Sequence, residues 1–583
     1  MSRTIGRITE VKGLSVKAVL DELLPPYLTN KGNYENAPKI NSFLKTKVGL
    51  DTIICQVIGE FSEEINGKVN SHSLELNVKG HFENGKFIQG LRMLPIVSAT
   101  VFLLDKDDYE RIYNSYSENV ITIGIDLFDP NKKISIDANL LIPSHIGVFG
   151  NTGSGKSNTL VKILHEYEKL TFAKKTKKSK CLIFDLNNEY SNDAIVEKEK
   201  KQIYDLRTRN DGGNKIPLNI SSLTEDNFIV LMNASEKTQV PAIKNAYRWA
   251  FANDHESRTE SYYLNQIKSF LKNGQRYLFY SMRHNLPEYF SGLDNFKYHS
   301  TNNIFYYDNG TGSSNYIYAN NTPAFDEVMN DIKIKLPNDH LGRFMFELYF
   351  SVAQENENGV QLDFMMPLIS RANKLIKDFQ KVFDFSVTST DRNIIFNDKN
   401  FCVVQLGNVN RDMKEIVPSL IANHVFDSLA RTKDENGRVI QTINIVVDEA
   451  HNILYEESGQ SNSHKNVLEV FEQIVKEGRK FGCYLMVSSQ RPSDISPTII
   501  SQLHNYFIHK LVNPSDIQRI GKAVAYLDED SLNFLTVMAA GECIVSGTAF
   551  QMPSFVYVNQ ADSKYRPNSE DVILFGKNGL LEE

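Results

Sequence analysis

Cysteine is scarce in this chain of 583 residues: five in all, Cys55, Cys181, Cys402, Cys483 and Cys543, odd in number and unclustered. That spacing suits neither a disulfide framework nor a zinc site, and because most of the five sit in apolar strand-like runs they read as small buried hydrophobes. No uninterrupted apolar stretch approaches the ~18–20 residues needed to cross a bilayer, and the opening Met-Ser-Arg-Thr-Ile-Gly-Arg lacks the apolar core of a signal peptide. A cytoplasmic protein without a membrane contact is expected. Positive charge is not in excess either. The formal net charge of −7 excludes a protein that coats nucleic acid through a uniformly basic surface, so any DNA contact must be local. Lys174, Lys175, Lys177, Lys178 and Lys180 form one such local run, read either as a solvated loop or as a phosphate contact. With 41% hydrophobic and 23% charged residues the composition is that of an ordinary globular protein, long enough to divide into two to four domains.

What the chain does contain is a glycine-rich turn in a telling context. Residues 146–160 read Ile-Gly-Val-Phe-Gly-Asn-Thr-Gly-Ser-Gly-Lys-Ser-Asn-Thr-Leu, matching G-x-x-x-x-G-K-[ST] from Gly150 to Ser157. Ile146, Val148 and Phe149 are an apolar run short enough for a buried parallel strand, and Leu160, Ile163, Leu164 and Tyr167 recur at helical spacing behind it. Strand, loop, lysine and helix agree, which a chance glycine turn at a helix start would not require. Gly150, Gly153 and Gly155 let the backbone curl so that its N–H groups converge on phosphate oxygens at a helix N-terminus. Asn151, Thr152, Ser154 and Asn158 complete the expected nucleotide-binding stretch. Lys156 is expected on the β- and γ-phosphates of ATP and Ser157 on Mg²⁺.

The rest of the chain arranges itself around this loop. Residues 1–120 show short alternating runs separated by turns such as Asn66-Gly67, the pattern of a small antiparallel sheet or barrel with an architectural role. A stretch of ~20 residues, Ile121 to Ile142, leads into the first strand of an α/β nucleotide domain whose first part spans 121–195. Its second strand, Cys181 to Asp185, ends in a carboxylate followed by Glu189-Tyr190; if it neighbours the first, Asp185 and Glu189 lie near the phosphates and either order water or Mg²⁺ or hold the loop. The next strand suited to the sheet is Phe401 to Leu406, so 196–400 reads as a largely helical insertion. Within it the Tyr- and Asn-rich patch Asn302 to Asn321, with its Gly312-Ser313-Ser314 turn, reads as internal packing or as a base-stacking surface. The domain resumes over 401–560, and 561–583 is a tail. Ile443 to Val447 is an apolar strand ending in Asp448-Glu449, which places Asp448 to hold the Mg²⁺ shell and Glu449 to polarise an attacking water. Gln490, at the end of strand Cys483 to Val487, is suited to sense the γ-phosphate or orient water, since an amide both donates and accepts. Arg479 and Arg491 are candidates for neutralising transition-state charge, in cis or across a subunit boundary, or are surface arginines in ion pairs.

These motifs together resemble the HerA family of hexameric DNA-translocating ATPases, relatives of FtsK. The likeness rests on residues 150–159, Asp185 to Tyr190, Val-Val-Asp-Glu-Ala-His-Asn (446–452), Gly-Arg-Lys-Phe-Gly (478–482), Val-Ser-Ser-Gln-Arg-Pro-Ser (487–493) and Leu-Val-Asn-Pro-Ser-Asp (511–516). It implies an N-terminal β-barrel, a RecA-like P-loop core and a helical insertion, assembled as a homo-hexamer with nucleotide between subunits and double-stranded DNA through the pore. It implies Lys156 and Ser157 on phosphates and Mg²⁺, Asp448 and Glu449 for metal and water, Gln490 as sensor and Arg479 as arginine finger. It also implies a separate effector on the barrel, a nuclease or a sirtuin-like NADase, in antiphage defence or DNA end processing; no nuclease constellation is visible in this chain. Where relatives carry a basic residue before the P-loop strand, this sequence has Pro143-Ser144-His145. Two functional classes lead, a DNA motor and an ATP-regulated ring scaffold that activates its effector without processive movement; a conjugation-type ATPase working at a membrane is disfavoured by the want of a transmembrane anchor.

Overall fold

The computed structural model describes residues 3–568 except 23, 26, 31–32, 66–67, 91, 114–116, 175–177, 211, 233, 236, 252–257, 311–315, 389–391, 457–461, 525–526 and 528. The Asn66-Gly67 turn, Lys175, Lys177, the Gly312-Ser313-Ser314 turn and most of the tail lie outside the described residues.

Alternating side chains build the first unit. Ser15–Leu20 pairs with Thr4–Lys12 on one side and with Lys68–Glu83 on the other, which closes six antiparallel strands into a barrel. The remaining staves are Thr100–Leu103, Phe43–Val48 and Asp51–Ile65. Every second residue, including Ile5, Val16, Ala18, Ile53, Cys55, Val57, Leu74, Leu76 and Val101, points into one core. Closure removes the exposed sheet edges that a unit this small would otherwise present.

The second unit is an eleven-stranded sheet. Seven strands are parallel, in the order Asn505–His509, Ile146–Phe149, Cys483–Ser489, Thr442–Val447, Ser179–Asp185, Phe401–Gln405, Lys201–Asp205. Antiparallel strands Glu542–Gly547, Ser554–Val558, Val120–Asp126 and Lys133–Asp137 extend it beyond Asn505–His509. All of these parallel strands except Lys201–Asp205 are buried almost throughout on both faces, as the centre of a sheet covered by helices requires. One face, with Ile146, Val148, Cys181, Ile183 and Val446, receives Leu160, Ile163, Leu164 and Tyr167 of the helix Lys156–Ala173. The other, with Phe149, Leu182, Phe184, Ile445 and Leu485, receives the helices Arg411–Ala430 and Asn462–Glu477 and merges with the core of the insertion.

Two expectations change here. The strand Ser179–Asp185 is not beside Ile146–Phe149; Cys483–Ser489 and Thr442–Val447 lie between them. A further parallel strand, Lys201–Asp205, precedes the insertion and pairs with Phe401–Gln405. With only Ile203 and Tyr204 apolar among its five residues, it is too short and too polar to register as a strand from periodicity.

The insertion is built on the helices Val240–Phe251, Glu260–Lys272, Arg276–Asn285, His340–Glu357 and Leu362–Val382. Glu347, wholly buried, is neutralised by Arg343 at 2.9 Å and by Arg258, and accepts from Tyr263. In the Tyr-rich patch, Phe296–His299, Ile304–Tyr307 and Ile317–Tyr318 form a small sheet in which Phe305 is fully buried, while Tyr306 packs against Tyr318 and both stay half-buried. Of the basic run, Lys180 is buried, with Nζ 3.3 Å from the Lys399 carbonyl and above the Phe396 ring, and is no phosphate contact. No described helix is long and apolar enough to cross a membrane.

Candidate nucleotide site

The parallel register aligns the carboxyl ends of the strands: Phe149 lies opposite Ser489, Val447 opposite Val487 and Phe184 opposite Val447. Loops leaving these ends therefore share one edge, where ligands of open α/β sheets bind. The loop after Phe149 wraps closely around His509. A methyl at Gly150 would sit 2.6 Å from both His509 Cβ and Ser154 Oγ, and at Gly155 (φ 111°) one would sit 3.1 Å from the Gly541 nitrogen. No side chain fits at either place. Gly155 also caps the helix Lys156–Ala173 without a side-chain acceptor, which leaves the first N–H groups of the helix open to an anion. His509 is held beneath the loop by Thr159 Oγ1 (2.9 Å) and the Glu542 carbonyl (2.8 Å); burial lowers its pKa to about 4, so it stays neutral.

Lys156 points inward, with Nζ 3.3 Å from the Asn151 carbonyl. Burial lowers its pKa, while Glu449, Asp448 and Glu189 favour its charged form. Asp448 is buried at the end of its strand and accepts from the Tyr190 hydroxyl and the Glu449 amide, both at 3.0 Å; burial still raises its pKa. Glu449 stands in the left-handed region (φ 47°), where a non-glycine residue is costly and which here turns its carboxylate toward Lys156. Its Oε2 is buried without a hydrogen bond among the described residues, and His451 Nδ1 lies 3.3 Å away. Burial raises the Glu449 pKa, against the pull of Lys156. Gln490 accepts from the Thr152 hydroxyl at 2.5 Å and so spans from its strand to the glycine loop.

The structure divides the two roles that the sequence leaves open for Asp185 and Glu189. Asp185 holds the loop: its two oxygens accept the Glu189 and Tyr190 amides, both at 3.0 Å, and burial raises its pKa to about 7. The turn so fixed carries Glu189 back across the edge to Ser157, whose hydroxyl lowers the Glu189 pKa against the larger raising effect of burial. Glu189 Oε2 is buried with no hydrogen bond among the described residues. Lys201, through Nζ to the Tyr190 and Ala194 carbonyls (2.8 and 2.7 Å), pins the same loop. Asp-x-x-x-Glu-Tyr at a strand end is the signal for this arrangement, although the distance bridged by the loop is not written in it.

Asn158 and Arg479 are placed differently from expectation. Asn158 faces away from the loop: its amide donates to the Asn559 carbonyl (3.4 Å) and accepts from the Ala561 nitrogen (3.0 Å), clamping the outgoing chain. Arg479 precedes strand Cys483–Ser489 and lies near His145, His504 and Tyr484 at the opposite edge of the sheet, roughly 20 Å from the glycine loop by strand length. It cannot serve the nucleotide site of its own chain. Arg491, by contrast, is on the site's flank, exposed and 3.9 Å from Asp494, in a cleft of about 750 Å³ shared with Arg209, Arg411 and Lys414. His145, just before the strand that leads into the glycine loop, is fully buried. Its Nδ1 accepts from the Leu485 amide (2.9 Å) and burial lowers its pKa to about 4, so it is neutral and cannot reach a neighbour.

The donor set fits a magnesium nucleotide. Open helix N–H groups and Lys156 suit the phosphates; Ser157 and Asp448 offer the oxygen ligands Mg²⁺ prefers; Glu189, Asp448 and Glu449 together carry more negative charge than Lys156 offsets, which a divalent ion would balance. Residues 121–425 match the family model described as "Helicase HerA, central domain". The DNA double-strand break repair helicase HerA of Sulfurisphaera tokodaii is 24% identical over 481 residues, 82% of this chain and 77% of that protein. Its namesake in Saccharolobus solfataricus is 27% identical over 263 residues, 43% of this chain and 50% of that protein.

Proposed function

The chain belongs to the HerA helicase family, and from that premise we propose that it is a Mg²⁺-dependent ATP-hydrolysing motor that moves along double-stranded DNA as a hexameric ring. The observation that carries this reading is the convergence of the glycine loop, Asp448-Glu449, Gln490 and Glu189 on one sheet edge around Lys156. Lys156 and the open helix N–H groups hold the triphosphate, and Ser157 with Asp448 orients the metal. When bound, Mg²⁺ supplies charge neutralisation on the phosphates. Glu449, with a raised pKa and a buried oxygen that no described residue hydrogen-bonds, accepts the proton of the attacking water, and Gln490, tied to Thr152, registers the terminal phosphate. Arg479, remote from its own site, acts as a finger on the site of the adjoining subunit.

Lys156→Ala is expected to abolish ATP binding and DNA-stimulated hydrolysis. The wild-type ring is expected to displace a protein roadblock from duplex DNA in an ATP-dependent manner. Hydrolysis indifferent to DNA, with no roadblock displacement, would remove the motor reading.

A second reading, a ring scaffold that activates a nuclease or sirtuin-like NADase in antiphage defence or DNA end processing, is supported by the barrel. Met93, Leu94, Ile96 and Val97 are all exposed on one loop there, an apolar surface suited to a protein partner. Effector activation that survives Glu449→Gln would favour the scaffold; activation lost with turnover would favour the motor.

A further inference from the structure

The carboxylates that receive the γ end of a nucleotide lie on one flank of the glycine loop, on the loops that follow Thr442–Val447 and Ser179–Asp185. A triphosphate aligned that way directs its nucleoside to the other flank. There the sheet continues through Asn505–His509, Glu542–Gly547 and Ser554–Val558. At the end of the last strand stands Tyr557, an aromatic side chain left 37% exposed although its strand is paired on both sides.

The distance from the loop to this ring is fixed by short contacts. The Gly541 nitrogen donates to the Ser154 carbonyl at 2.9 Å, and the Val558 nitrogen to the Gly541 carbonyl at 2.8 Å. Gly541 is the spacer: a methyl there would meet the Tyr557 ring at 3.1 Å, and one at Gly155 would meet Gly541 at the same distance. From the other side Asn158, next to Ser157, clamps Asn559 and Ala561 just beyond Tyr557. The Asn151 nitrogen of the glycine loop donates to the Lys510 carbonyl at 2.8 Å, and two residues further on Val512 is exposed. Apolar and aromatic surface left open beside a phosphate loop, and held to it through backbone hydrogen bonds, has the makings of a platform for a flat heterocycle.

We propose that Tyr557 is the base platform of the nucleotide site, stacking on the nucleobase while Asn158 sets its distance from the phosphates. The proposal rests on the nucleotide reading above. Stacking discriminates weakly among bases, so the platform gives affinity for nucleoside triphosphates over inorganic polyphosphate rather than strict choice of base.

The test is calorimetric titration of the full-length protein, with Mg²⁺, by a non-hydrolysable ATP analogue and by inorganic tripolyphosphate. Tyr557→Ala is expected to weaken the analogue by roughly 5- to 100-fold, the range for one aromatic–base stack. Tripolyphosphate is expected to bind as in the wild type, and Tyr557→Phe to retain both affinities. Unchanged binding of the analogue to Tyr557→Ala would overturn the platform, as would equal weakening of both ligands, which would make the ring a structural prop. Lys156→Ala tests the underlying reading separately: if it binds both ligands as tightly as the wild type, the nucleotide site itself is elsewhere.

Discussion

Glu449 and Glu189, both close enough to Lys156 to favour its charge, each bury an oxygen without a hydrogen bond among the described residues, and replacing each by its amide separates their roles. Glu449→Gln keeps the size and the hydrogen-bonding reach of the side chain but cannot take a proton. Burial already raises the pKa of Glu449, which makes it the better base, and general-base catalysis contributes about 10²–10⁴ in rate, or about 2.7–5.5 kcal/mol of barrier. kcat is therefore expected to fall by that factor, while affinity for a non-hydrolysable analogue changes less than threefold. Glu189 leans on Ser157, which is expected to ligate the metal, so Glu189→Gln should act on the metal instead. It is expected to raise the Mg²⁺ concentration for half-maximal hydrolysis by roughly tenfold, the loss of about one charge-assisted hydrogen bond, with a smaller effect on kcat at saturating Mg²⁺. Steady-state ATPase assays over a Mg²⁺ series, paired with calorimetric binding, measure both. Near-normal turnover in Glu449→Gln together with collapse of kcat in Glu189→Gln would refute the assignment and move water activation to the loop after Asp185.

Tyr190→Phe removes the 3.0 Å hydrogen bond to Asp448 and is expected to raise the Mg²⁺ requirement severalfold while circular dichroism stays native; an unchanged requirement would show that Tyr190 does not position Asp448. Arg479→Ala alone should lower turnover without dissolving the ring, and mixing it with Lys156→Ala subunits should restore part of the activity, because some boundaries then pair an intact lysine with an intact arginine; no recovery would return Arg479 to the surface. His145 is held neutral with its pKa lowered to about 4 from an ordinary value near 6.5, so the stability it protects is complete above pH 6.5 and is lost as pH falls toward 4. Melting temperature should decline more shallowly across that window in His145→Gln than in the wild type, and parallel curves would contradict a neutral buried imidazole.

Local chemistry made much of this site legible. The strand-turn-helix around Gly150 to Ser157 and the apolar strand ending in Asp448-Glu449 are complete within a few residues each, and the barrel announces itself through alternation. What escaped depends on how distant segments meet. Glu189 reaches Ser157 only because Asp185 and Lys201 fold its loop back across two intervening strands, a path that no spacing encodes. Asn158 belongs to the motif by position, yet at the start of a helix it turns outward and holds Asn559 and Ala561, four hundred residues away in the chain. The place of Arg479 was readable: it precedes strand Cys483–Ser489, and in a parallel sheet residues before a strand lie at the edge opposite the ligand. Strand Lys201–Asp205 leaves no trace in the pattern because two apolar residues carry too little period.

The most direct test of the site is a structure of the full-length protein with a non-hydrolysable ATP analogue and Mn²⁺, located by its anomalous signal. The predicted result is the metal bound by Ser157 with Asp448 in its shell, Lys156 on the β- and γ-phosphates and Glu449 facing the terminal phosphorus. Nucleotide bound away from the glycine loop, or metal with neither Ser157 nor Asp448 near it, would contradict the proposed chemistry from its first step.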